Sequence, residues 1–182
     1  MPGSGVGCFP GSFNPPTLAH LAIARSAQRA CGLERVDLVV SRVALAKEDV
    51  HRPPFDDRVR VLGQVVAAHR PWLGLVVTDL QLLVDLAAGY EVLVLGADKW
   101  AQVLDPRFYA GGSPSARDAA VAALPRLAVV PRPGHDVDLP SDAVVLGLPE
   151  DLADASSTAA RAGRTDWMAP EAAASGLWAS AP

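Results

Sequence analysis

Cysteine is almost absent: Cys8 and Cys31 are the two in 182 residues. They are too few for a disulfide framework and lack the spacing of a metal site, so core packing accounts for both. Long apolar runs are missing as well. Hydrophobic residues make up 50% of the chain, yet no run approaches the ~20 needed to span a bilayer. The N-terminus has no basic segment followed by a long apolar stretch, the mark of a secretory signal, so a cytoplasmic protein with no membrane partner is expected. Positive charge is scarce too. The formal net charge is −4 and there is no Lys/Arg cluster, whereas affinity for a nucleic-acid backbone requires a basic surface. General nucleic-acid binding is therefore not expected. Neither a repeat nor a dividing linker is visible, so residues 1–182 are read as one domain, able to bury roughly 70% of its unfolded surface.

What the chain does have is alternation. Apolar, β-rich runs at residues 6–9, 36–40, 73–77, 92–95, 127–130 and 143–146 are separated by helical patterns at 18–31, 55–69, 80–88, 99–104, 115–124, 157–162 and 170–175. Continuous apolar strands between helices predict a parallel sheet covered on both faces, an α/β, Rossmann-like doubly wound fold. In such a sheet, ligands bind beyond the carboxyl ends of the strands near the switch in strand order.

The most informative segment lies directly after the first strand: Gly11-Ser12-Phe13-Asn14-Pro15-Pro16-Thr17-Leu18-Ala19-His20. A strand ends, glycine and two prolines fix a tight turn, and a helix begins at Thr17. Helix starts leave backbone N–H groups unpaired and carry partial positive charge, so a turn held there suits an anion. A protonated His20 would be unfavourable at the positive end of that dipole unless a polyphosphate were bound. The alternative is a plain N-cap at Thr17 with His20 on the surface.

These residues resemble the first signature of the nucleotidylyltransferase superfamily, Gly-[Ser/Thr]-Phe-Asp-Pro followed by His-x-Gly-His. Thr17 stands at the first histidine, as in phosphopantetheine adenylyltransferases, and Ala19 at the glycine. Late in the chain, Ala155-Ser156-Ser157-Thr158-Ala159-Ala160-Arg161 is similar to the second signature, Ile-Ser-Ser-Thr-x-x-Arg. Between them, Leu95-Gly96-Ala97-Asp98 and Val130-Pro131-Arg132-Pro133-Gly134 resemble segments of bacterial nicotinate mononucleotide adenylyltransferases. The Ser-Tyr-Thr segment of those enzymes has no match between Leu75 and Tyr90.

The resemblance implies an adenylyltransferase: the phosphate of a nicotinate mononucleotide-like acceptor attacks the α-phosphorus of ATP and releases pyrophosphate. Transfer to another phosphorylated metabolite from ATP or CTP, or nucleotide binding without catalysis, remains open. His20 and Thr17 are the implied catalytic pair, acting on the α-phosphate. Gly11, Ser12 and Phe13 would cradle phosphate, and Ser156, Ser157, Thr158 and Arg161 would hold the β- and γ-phosphates. Lys47, Asp98 and Arg132 are the implied substrate contacts. Mg²⁺ would arrive with ATP and bridge phosphate oxygens, with few protein ligands required and none named in the sequence. A homo-oligomer is compatible with the sequence. Trp72, Trp100, Trp167 and Trp178 are read as packing residues.

Overall fold

The computed structural model describes residues 5–43, 53–132 and 134–179. Six strands, β1 (Val6–Pro10), β2 (Arg35–Ser41), β3 (Leu73–Thr78), β4 (Val92–Gly96), β5 (Arg126–Val130) and β6 (Val144–Val145), form one sheet in the order β3-β2-β1-β4-β5-β6. Every pairing is parallel, with Cys8 opposite Asp37 on one side of β1 and opposite Leu93 on the other. The chain winds outward from β1 to β3, then crosses back and starts again at β4. Strand order therefore switches between β1 and β4, where an open α/β sheet leaves its ligand crevice.

Alternate residues of each strand feed two cores, as the pleat requires. Val36, Leu38 and Val40 pack with α1 (Leu18–Ala30), α2 (Phe55–Ala68) and α7 (Pro170–Ser175). Val39, Leu93, Leu95 and Val129 face the other way, onto α3 (Leu83–Leu86) and α4 (Ala97–Leu104). Helix α5 (Pro114–Ala122) borders this second layer through Val121, and α6 (Ser157–Arg161) adds Ala160 to the first. Asp37 is the buried carboxylate of the second layer. Arg35 donates to it at 2.6 Å and the Tyr90 hydroxyl at 3.4 Å, and a Cβ on Gly74 would fall 2.0 Å from its Oδ1, so that site must be glycine.

The alternation read from the sequence holds for all six strands. One helix is shorter than expected: the pattern over residues 80–88 gives only α3. The Thr78 hydroxyl accepts the Leu80 N–H at 3.2 Å and Leu82 is extended, with ψ 138°. These hold residues 79–82 in a turn, leaving Leu80 and Leu82 exposed. Thr17 is the N-cap of α1, one residue before the helix proper. Among the described residues no helix is long and apolar enough to cross a membrane.

Candidate active site

The turn after β1 begins under strain. Phe13 has φ +43°, a left-handed conformation uncommon for a bulky residue and found where surrounding structure over-determines it. Its ring is buried edge-on against Phe9 and His20, with centroids 5.4 and 5.1 Å away. A Cβ on Gly11 would meet that ring at 2.9 Å, so glycine is what lets the aromatic tuck beneath the turn.

Thr17 and His20 form a reciprocal cap on α1. The Thr17 side chain accepts the His20 N–H at 3.3 Å, and the Thr17 N–H donates to His20 Nδ1 at 3.0 Å. Histidine here fills the place that Glu or Gln usually takes. A backbone N–H can only donate, so Nδ1 is an acceptor and the ring proton sits on Nε2. The Thr17 hydroxyl, 2.8 Å from Nδ1, supports the same tautomer. Burial, and secondarily the positive charge of Arg132, lowers the His20 pKa to about 4. His20 is thus a neutral imidazole presenting an Nε2–H donor, and no acceptor among the described residues bonds to it. Thr17 is fully buried, with its hydroxyl committed to His20.

The late motif is bound directly to this turn. Ser157 donates its hydroxyl to the Pro15 carbonyl at 2.8 Å, and the Arg161 guanidinium donates to the Asn14 carbonyl. Next along, the Ala169 N–H donates to the Pro16 carbonyl at 2.9 Å, and Thr17 bridges to Met168. Three successive carbonyls are therefore satisfied by residues more than 140 positions away in the chain. Ser156 caps α6 through the Ala159 N–H at 3.1 Å, and Thr158 Oγ1 accepts from Arg161 at 3.4 Å.

The remaining candidates approach from the β4–β5 side. Asp98 lies in the first turn of α4, and its Oδ1 is 2.4 Å from where a Gly96 Cβ would stand. Arg132 donates to the Ala153 carbonyl at 3.2 Å and passes 3.8 Å from that same Cβ position. His20, Asp98, Arg132 and Arg161 thus converge at the switch point between β1 and β4. A cavity of about 360 Å³ opens among Ala97, Pro131, His135, Asp136, Asp138 and Leu139, and none of those four residues lines it. Ser12 is half-buried in the turn, and Lys47 lies outside the described residues.

A model of the cytidylyltransferase-like family matches residues 8–162. The chain belongs to this family. Among curated relatives of this nucleotidyltransferase, a probable nicotinate-nucleotide adenylyltransferase of Roseiflexus sp. (strain RS-1) is 30% identical, over 84% of this chain and 78% of that protein. Another, of Gloeobacter violaceus, is 31% identical over 92% and 89%. In the solved structures, a Plasmodium falciparum nicotinic acid mononucleotide adenylyltransferase complexed with NaAD has a TM-score of 0.68 at 14% identity, covering 97% of this chain and 98% of that one. The same enzyme complexed with APC gives 0.67 at 15%, covering 97% and 95%. The structural likeness supports the Rossmann-like fold.

Two features of this nucleotidyltransferase's site are not legible in its sequence. One is the role of Asn14 and the prolines as acceptors for the late motif, since the bonding groups are backbone carbonyls that every residue has. The other is the His20 cap. A Thr-x-x-His spacing carries that signal only if histidine is admitted where a capping box normally has Glu or Gln.

Proposed function

We propose that the chain transfers AMP from ATP to the phosphate of nicotinate mononucleotide, with His20 as the donor to the α-phosphate. The observation that carries this is the His20 tautomer: a neutral ring whose one free N–H lies at the switch point, beside a turn built on a helix start. An acceptor phosphate oxygen forms a bond to the α-phosphorus while the bond to the β-phosphate oxygen breaks, and pyrophosphate leaves. No protein nucleophile takes part. Charge developing on the non-bridging α-oxygens is met by Nε2–H, a preorganised donor that need not lose its proton. Thr17 acts through His20, fixing its orientation.

Gly11, Ser12 and Phe13 are assigned to the phosphate cradle, Ser156, Ser157, Thr158 and Arg161 to the β- and γ-phosphates, and Lys47, Asp98 and Arg132 to substrate contacts. The described residues hold no group of three or more His, Cys, Asp or Glu able to bind a metal ion. Mg²⁺ would arrive with ATP and would draw off phosphate charge there.

Pyrophosphate release tests the reading, with ATP or CTP against a panel of phosphorylated acceptors that includes nicotinate mononucleotide. Turnover with ATP and nicotinate mononucleotide is expected. Release only with another acceptor would relocate specificity while keeping the chemistry, and no release with any pair would leave a nucleotide-binding protein without catalysis.

A further inference from the structure

Asn14 is fully buried at the centre of the phosphate turn, and its side chain is only half satisfied. Its Oδ1 accepts the indole N–H of Trp178 at 2.6 Å, across 164 residues of chain, while its Nδ2 has no partner among the described residues. A buried amide with an unpaired N–H₂ costs stability and is uncommon in native structures. Such a cost is kept where the group's other end has work to do. That end meets a tryptophan which is itself only 7% exposed, in the first core with Phe13, Met168 and Ala172, just after the left-handed Gly176 that ends α7.

We propose that Trp178 is a positioning residue for the transfer reaction: through Asn14 Oδ1 it sets the phosphate turn against the strained Phe13 and the His20 cap. The Asn14 carbonyl is fixed by Arg161 and its side chain by Trp178, so the residue is held from two directions. Neither bond to Asn14 comes from its own end of the chain, so α6 and the residues just beyond α7 brace the turn at this residue. Loss of the indole N–H takes away the one bond among the described residues that orients the Asn14 amide, directly after Phe13, whose ring contacts His20. The error is thereby passed to the donor. This inference rests on the adenylyl-transfer reading.

Trp178→Phe tests it in the full-length enzyme, since it keeps an aromatic ring in the core and removes the donor. The kcat/KM for ATP is expected to fall about tenfold, the equivalent of one buried hydrogen bond, with kcat carrying the loss. Asn14→Ala should lower it similarly, and the double variant no further than Asn14→Ala alone. Thermal melting of each variant shows whether lost folding explains the loss. A lowered melting temperature with an unchanged kcat/KM in the folded enzyme would reduce Trp178 to a packing residue and overturn the proposal, as would full additivity of the two substitutions. A second readout does not need turnover. The Trp178 indole N–H resonance, assigned by its loss in Trp178→Phe, should shift when ATP is added and when Asn14 is replaced by Ala. An indole resonance indifferent to both would overturn the proposal even if the enzyme were active. Absence of pyrophosphate release in the wild type, with the indole still responding to ATP, would instead count against the transfer reading alone.

Discussion

His20 caps the helix through Nδ1 and, in the proposed reaction, meets the chemistry through Nε2, and substitutions can separate the two. His20→Gln keeps a side-chain acceptor for the Thr17 N–H and exchanges the imidazole Nε2–H for an amide N–H₂ bonded to the same carbon as the capping oxygen, away from the place of the ring donor. It should melt close to wild type while turnover falls about 100- to 1,000-fold, the usual cost of one donor to a developing oxyanion. His20→Ala loses both functions and should melt lower as well, by about 0.5–2 kcal/mol of capping. Steady-state pyrophosphate release with thermal melts checks both variants, and a folded Ala variant keeping a tenth or more of turnover would remove His20 from the mechanism. The pKa gives a further expectation. The folded value of about 4 lies below the ordinary histidine value of 6.5, so the folded state favours the neutral ring. The stability this contributes is present above about pH 6.5 and declines as pH falls from there toward 4, because the unfolded chain takes up the proton first. Denaturant titrations across that window should show the slope in the wild type and a smaller one in His20→Gln. The motif around His20 is readable in the sequence. Its tautomer is not, because that depends on which backbone N–H lies 3.0 Å from which ring nitrogen.

At the level of elements, the close approaches at α4 and α6 make separate claims. A Cβ on Gly96 would collide with a flexible carboxylate end, not with backbone, so Gly96→Ala should fold and push Asp98 aside. A raised KM for one nucleotide with little change in melting is the expected result, and an unchanged KM for both substrates would take Asp98 out of the site. Arg161 permits two outcomes. As a contact to the β- and γ-phosphates, Arg161→Ala should weaken ATP far more than AMP, by roughly 1.5–3 kcal/mol. As a brace on the Asn14 carbonyl alone, it should weaken both equally; calorimetry with the two ligands decides. Six strands and the placement of α1, α2 and α7 are legible because their apolar periods are strong. The stretch at 80–88 misleads because its leucines match a helical period, while the Thr78 hydroxyl captures the Leu80 N–H and turns the chain first.

For the whole molecule, the sheet order brings motifs from both ends of the sequence to one edge. The alternation of strands and helices foretells that edge but not the bonds across it. ATP present at about 100 times its Kd should add roughly 2.7 kcal/mol of stability. For a protein of this size that raises the melting temperature by about 5–10 °C. Scanning calorimetry with and without MgATP measures it, and no shift at saturating ATP would mean that the edge does not bind the nucleotide. The bonds from Ser157, Arg161, Ala169 and Trp178 to the turn at Asn14–Pro16 also bear on synthesis. A ribosome adding about 5–20 residues per second produces the first signature many seconds before the groups that shape it. Throughout that interval the nascent chain has the turn at Asn14–Pro16 but none of its distant partners, and the proposed nucleotide affinity should appear only once Trp178 has cleared the exit tunnel.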